Sequence, residues 1–358
     1  MKYRLANLCD EESIATAGTK TIELDGIDAI SRIVIAARGT NNGSTPTAHP
    51  AKMVSKIEVV DGSDTIFSLS GVEARALAEY DEGVAPFSVN ETEDGVTCQA
   101  NYHIDFGRVL MDKNLALVPS KFDNPQLKIT HNKASGGSAP DAGTLGVYAY
   151  IFDDVQPNPM GFLQSKEIKS WTAVASTTET TELPTDYPIR KLLLQSLIAG
   201  TSPLSQINRI SLHENNKSKM VINNERAREY VKSMYPGRTT VDYIGTLGTG
   251  SAVTYYCMPT YEVYYTGVGR SASQTTMIVS QGSGGSVSIT NDSSESIQVI
   301  CEGKLPHGAV CIPFGDQNDL MDWYDVTKLK RLNIDITSDS SIGSSSTVEY
   351  IVQQLRRY

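Results

Sequence analysis

Side chains able to do chemistry are sparse in this chain, and their spacing matters more than their number. His49, His103, His131, His213 and His307 stand apart, with no H-x-H, no H-E-x-x-H and no i, i+4 pair. A histidine-based metal centre needs several of them beside a carboxylate on neighbouring strands, and nothing in the spacing provides that. The five cysteines, Cys9, Cys98, Cys257, Cys301 and Cys311, are odd in number and never spaced as C-x-x-C. Zinc-ribbon and thioredoxin-type chemistry therefore drop out, and reduced thiols are expected. Cys9 follows bulky Leu8 with no apolar run leading in, so a small buried thiol is expected there.

The remaining motifs read as structure. Gly245 to Ser251 has the glycine spacing and terminal hydroxyl of a phosphate-binding loop but lacks its lysine, which makes a flexible hairpin connection the expectation. Gly282-Ser283-Gly284-Gly285-Ser286 is expected to be a mobile loop tip, glycine relieving positive φ. Asp10-Glu11-Glu12, Asp153-Asp154 and Asp316 with Asp319 could hold a structural calcium ion if folding gathered their oxygens; solvated acidic loops are the expectation. Asn42, Asn90, Asn216 and Asn291 begin glycosylation tripeptides, discounted because no secretory signal precedes them. Gln353 to Tyr358 and Lys328 to Arg331 carry the local positive charge and could touch an anionic membrane or a neighbouring chain, with a solvated strand end expected. No catalytic, cofactor-binding or metal-binding residue is assigned.

The elements that would position these side chains are mostly strands. Ile30–Ala37, Ile57–Val60, Ile66–Leu69, Leu127–Thr130, Leu145–Phe152, Leu192–Leu197, Ile207–Leu212, Met220–Ile222, Ile297–Cys301, Leu332–Ile336 and Val348–Val352 are short, β-branched or aromatic, and bounded by turn residues. Two helices are expected, over Val72–Tyr80 and Glu225–Tyr235, each after a strand pair. With 358 residues, 40% of them hydrophobic, the chain is long enough for two cores. No stretch approaches the roughly 18 apolar residues of a membrane helix. A net charge of −10 argues against holding nucleic acid by neutralising phosphates, and the acidic turn after Cys9 argues against export.

An internal repeat organises the whole. Thr21–Leu24 and Ile30–Ile35 lie without gaps on Thr180–Leu183 and Ile189–Leu194. Ile57–Tyr80, a hairpin and helix, is matched to Ile207–Tyr230, and Ile104-Asp105-Phe106-Gly107 to Ile312-Pro313-Phe314-Gly315. Met111-Asp112 follows as Met321-Asp322 does, Leu127–Thr130 pairs with Ile334–Thr337, and Val147-Tyr148 with Val348-Glu349. The proline-containing seam Asp153–Gly161 reads as a linker, giving domains 1–157 and 158–358. The second carries an insertion at about 236–309, expected to project as a small β subdomain at one end of its parent. Trp171 and Trp323 lack the flanking cysteines of an immunoglobulin sandwich, and long loops with an embedded helix favour a jelly roll. The expected fold is all-β: two tandem eight-stranded jelly rolls with short helices in inter-strand loops.

With tandem copies, a helix after each early strand pair, Ile-x-Phe-Gly in both and one expanded loop, the sequence resembles, over nearly its whole length, the double jelly-roll major capsid proteins of tailless icosahedral double-stranded DNA viruses and phages. That resemblance implies upright strands, a pseudo-hexagonal homotrimer tiling an icosahedral virion shell, residues 236–309 as an outward tower, and an amino terminus facing inward. It implies neighbouring trimers, penton or minor capsid proteins and an inner membrane as partners, synthesis in the host cytoplasm, and no enzyme activity. The alternatives are a glycan-acting or glycan-binding protein on paired jelly rolls, similar in architecture to a peptide-N-glycan amidase with acidic residues in a cleft between the domains, and a fibre-like adhesin.

Overall fold

The computed structural model describes residues 3–153, 157–233, 239–247, 252–270, 275–290, 296–342 and 346–358. The first stretch carries β1 (Tyr3–Ser13), β2 (Ala17–Glu23), β3 (Ile30–Thr40), β4 (Val54–Asp61), β5 (Asp64–Leu69), α1 (Gly71–Glu82), β6 (Ser88–Glu91), β7 (Thr97–Asp105), β8 (Pro125–Asn132) and β9 (Ala142–Phe152). After the seam come β10 (Gly161–Ala173), β11 (Thr178–Leu183), β12 (Ile189–Gln195), α2 (Pro203–Gln206), β13 (Arg209–Glu214), β14 (Lys219–Arg226) and α3 (Ala227–Ser233). An insertion follows with β15 (Thr240–Leu247), β16 (Ala252–Tyr256), β17 (Pro259–Arg270), β18 (Thr275–Gly282), β19 (Ser286–Thr290) and β20 (Ser296–Pro306), before β21 (Ala309–Pro313), β22 (Leu332–Thr337) and β23 (Ser346–Arg357).

Two jelly rolls result. In the first half β1-β9-β3-β7 packs on β2-β8-β4-β5; in the second, β10-β23-β12-β21 packs on β11-β22-β13-β14. The order is the same strand for strand, and α1 and α3 occupy the same connection. Strand alternation sends Ile33, Ile35 and Val147 from one sheet and Ile57, Val59, Leu127 and Ile129 from the other into the first core. Leu192, Leu194, Ile210, Leu212, Ile334 and Ile336 fill the second.

Pairing register makes the repeat quantitative. Thr19 faces Thr130 as Thr178 faces Thr337, and the hydroxyls of each pair hydrogen bond, at 3.1 and 2.8 Å. Ile33 faces Ile104 as Leu192 faces Ile312, and the register shifts between Ile30 and Arg32 as it does between Ile189 and Lys191. Phe106 N–H donates to Ser31, and Phe314 N–H to Arg190, in equivalent bonds.

Two matches read from sequence need correction. The residue equivalent to Ile57, which faces Ile129, is Ile210, which faces Ile336, and not Ile207. Ile207 is the C-cap of α2, so the strand begins later than its apolar residues suggest. The equivalent of Val147 is Tyr350, not Val348, because Ile35 faces Val147 and Leu194 faces Tyr350. A slip of two residues keeps the same face of a strand, so hydrophobic alternation alone does not reveal it.

The insertion is not a free-standing subdomain of the second half. β15 pairs in parallel with β6 of the first half, Ile244 facing Asn90, and β20, β17 and β18 extend that sheet to nine strands. The exposed edge of β6 offers unpaired backbone groups, which satisfies the insertion better than a free-standing ribbon would.

Helix α1 lies where the two halves meet. Ser70 and Glu73 form its capping box, and Gly83, at φ 81°, closes its end. Gly71 is fixed by close approach: an added Cβ would lie 2.5 Å from the Val54 carbonyl oxygen and 2.6 Å from Tyr102 Cε1. Alanine would ordinarily strengthen a helix, but this clash outweighs propensity. Gly71→Ala is expected to lower unfolding stability by about 1–3 kcal/mol, read from the urea midpoint; a gain would show that α1 can shift away from Tyr102.

Candidate assembly junction

The seam between the halves is where the sequence concentrates buried charge. β5 and β10 pair in parallel, Phe67 facing Ser165 and Ser68 facing Lys166, so one sheet of the first half and one of the second become a single eight-stranded sheet. Arg356 on β23 ties across this join, donating from Nη1 to Asp64 at 2.8 Å. α1 lies over the seam with Glu73, Arg75 and Glu79 all buried.

Asp81, near the end of α1, is the centre of one cluster. Its Oδ1 accepts from Arg190 Nη1 and Lys191 Nζ, each at 2.5 Å, and its Oδ2 from Gln353 Nε2 at 3.2 Å. All three partners belong to the second half, and the Asp81, Arg190 and Lys191 side chains are at most 3% exposed. Burial by itself would raise the Asp81 carboxyl, yet Arg190 and Lys191 outweigh it and bring it down to about 2. Beside it, Arg32 bonds Asp105 at 2.6 Å and Glu82 at 3.1 Å, and Glu82 meets His103 at 2.5 Å. Burial pushes Asp105 up to about 6.

A second network binds α1 to the insertion. Arg75 is fully buried and donates to the carbonyls of Pro86, Phe87 and Asn101. His49 Nδ1 accepts from Ala51 N–H, so its Nε2 is free to donate to Asp242 on β15 at 3.0 Å, and Asp242 also accepts from Met258 N–H. The rings of His49 and His307 meet edge to face at 5.0 Å, and burial holds His307 neutral, far below the usual histidine range. Thr240 on β15 donates to Glu79, and Tyr80 donates to the Ala309 carbonyl.

A cavity of about 440 Å³ opens near the seam, lined by Lys52, Ser55, Ser70, Gln195, Thr347 and Glu349 among others. Burial, then the nearby Glu73 and Glu167, pushes Glu349 up to about 7. Glu73 is committed to its helix cap, accepting from Ser70 N–H, so the lining presents a single carboxylate.

The acidic residues singled out in the sequence do not gather. Glu12 pairs with Lys20 and Glu11 with Arg38; Asp153 pairs with Arg4, while Asp154 lies outside the described residues. Asp316 and Asp319 accept from backbone N–H groups of their own loop. Among the described residues, no three His, Cys, Asp or Glu side chains are placed to hold a metal ion. Gly245–Leu247 is strand, whereas residues 248–251, Asn291–Ser293 and the end of the expected helix beyond Ser233 lie outside the described residues. Gly282–Ser286 is no free tip: Gly284 N–H donates to Thr260, Gly200 N–H donates to Ser283, and a Cβ on Gly284 would sit 2.1 Å from the Ile198 carbonyl oxygen. The basic end is solvated at its tip, where Arg357 and Tyr358 are exposed, as are Lys328, Lys330 and Arg331, but not along its strand. Gln353, Gln354 and Leu355 are buried in β23 between β10 and β12, and Tyr358 donates to the Ala116 carbonyl.

No family model matches the sequence, and no curated protein matches it. Solved structures do match over nearly the entire length. The atomic structure of Sulfolobus turreted icosahedral virus aligns with 100% of this chain and 92% of its own at a TM-score of 0.60 and 12% identity. PBCV-1 VP54, fitted into a reconstruction of the virophage Sputnik, covers 99% and 93% at 0.59 and 9% identity. The major capsid protein P2 of bacteriophage PM2 covers 99% and 98% at 0.55 and 10% identity. The fold is thus the double jelly roll found in these capsid proteins.

Two substitutions test the seam. Asp81→Asn leaves Arg190 and Lys191 buried without their counter-charge and is expected to cost about 3–5 kcal/mol at pH 7. Because the Asp81 carboxyl is depressed, its contribution is whole above pH ~4 and is lost only as pH falls through about 2, so the variant's deficit in chemical denaturation should shrink towards that pH. Glu349 behaves oppositely. A carboxyl raised to about 7 favours the fold while protonated, a contribution present below the unfolded value and lost as pH rises through 7. Glu349→Gln should therefore raise the melting temperature at pH 8 by about 2–4 °C and by less at pH 5; equal effects at both would exclude the titration.

Proposed function

We propose that this chain is the major capsid subunit of a tailless icosahedral virus, acting as a homotrimer whose six jelly rolls form a pseudo-hexagonal tile. The reading is carried by the repetition of one strand order and pairing register in both halves, together with a fold shared end to end with capsid proteins. Two similar domains side by side turn three chains into six similar lateral faces, so a single gene product can occupy a hexagonal lattice position. Residues 1–157 and 158–358 are the two tiles of each chain, and the insertion at about 236–309 forms the outward tower. The amino terminus faces inward. Neighbouring trimers, penton or minor capsid proteins and an underlying membrane are the partners, and the chain works in the virion after synthesis in the host cytoplasm.

The seam supports a structural role. The Asp81, Arg32 and Arg75 clusters are spent on one another and on backbone groups, which favours a rigid unit. Light scattering on purified protein should give a mass near three times 38.9 kDa. A monomer that persists at high concentration would remove the capsid reading.

A further inference from the structure

The junction inside the chain prescribes the junction between chains. Within one chain, the outer edge of β5 is taken by β10 of the second half in parallel. The equivalent of β5 in the second half is β14, and the equivalent of β10 in the first half is β1; both stand at the ends of their sheets with one edge open. A long open strand edge is a template for another strand. Here two such edges are the unused halves of a contact that the chain already makes once.

The register carries over residue by residue. Leu5 faces Tyr150 and Ser165 faces Gln353, while Tyr150 and Gln353 face the equivalent residues Arg32 and Lys191. Leu5 therefore stands where Ser165 does, and Tyr3 where Leu163 does. On the other edge, Phe67 faces Val59 and Ile222 faces Leu212, which in turn face the equivalent Leu127 and Ile334. Ile222 thus stands where Phe67 does, and Met220 two residues before it.

Resting on the homotrimer reading above, we infer that β14 of one chain pairs in parallel with β1 of a second copy, Ile222 beside Leu5 and Met220 beside Tyr3. Burial supports the assignment. Ser165, paired with Phe67 of β5, is 0% exposed, whereas its equivalent Leu5 is 53% exposed, with Tyr3 at 55% and Met220 at 38%. Tyr3 and Leu5 on one edge and Met220 on the other are thus exposed apolar side chains, while Ile222 faces its own core as Phe67 does. The contact is head to tail, so it closes into a ring when its rotation allows; three chains then repeat the same strand junction six times. The ion cluster is not repeated, because Ser31 stands where Arg190 does and Arg32 is already held by Asp105 and Glu82. Chains should therefore separate without unfolding, while the two halves of one chain should not.

Full-length protein carrying both Tyr3→Cys and Met220→Cys, treated with a short bis-maleimide, tests this; the described native cysteines are all buried. Denaturing gels should show linked dimers and trimers from the double variant and neither from either single variant. Leu5→Asp should weaken trimerisation at least tenfold in dilution light scattering while leaving the circular dichroism spectrum unchanged. A trimer that persists in Leu5→Asp and does not cross-link would overturn this pairing and leave the capsid reading standing. A chain monomeric at every concentration would overturn both.

Discussion

The structure depends on a helix that cannot be moved without stranding charge. α1 buries Arg75, Glu79 and Asp81 together, and their partners come from three places: the first half's own loops, strands β12 and β23 of the second half, and β15 of the insertion. An unpaired ion in such surroundings costs several kcal/mol, so each partner restricts how the others can sit. Sheet pairing between β5 and β10 fixes one direction of the seam, and the ions fix the rest. The two halves are thereby held as one body.

The duplication was legible in the sequence because it survives in cores and turns. Thr21–Leu24, Ile-x-Phe-Gly and the paired aspartates Asp112 and Asp322 mark positions where the same ladder and loop bonds recur; Asp112 Oδ2 accepts from Arg108 N–H as Asp322 Oδ2 does from Asp316 N–H. β1 was not legible. Its residues alternate poorly and only Ala6 and Cys9 are buried, so no periodic apolar signal distinguishes it from a loop. The seam was invisible for another reason: Asp81 and Arg190, or His49 and Asp242, are far apart in sequence, and no local pattern announces a long-range ion pair. Even the histidines, which read as isolated, include two whose rings touch.

Where the copies differ, the difference follows position and not strand chemistry. Arg190 and Ser31 are equivalent, as are Pro313 and Asp105, yet the charged member of each pair faces a neighbour that its twin lacks. Arg190 faces Asp81 across the seam; Asp105 answers Arg32 within the first half. A symmetric duplicate would have placed the same residues at both sites and buried some of those charges unpaired. The copies have therefore diverged at buried charge, one such site lying between the halves and one within the first, while core registers such as Ile33–Ile104 and Leu192–Ile312 were kept.

Helix α1 also positions the edge on which the insertion of the second copy docks. In the second half the insertion leaves from the connection between α3 and β21, and it returns across the first half by pairing β15 with β6. In the first half the same connection is held at its start by Arg75, whose guanidinium donates to the Pro86, Phe87 and Asn101 carbonyls. The helix that locks the seam thus also anchors the segment just before β6, so the join between the halves and the docking of the insertion rest on the same buried element.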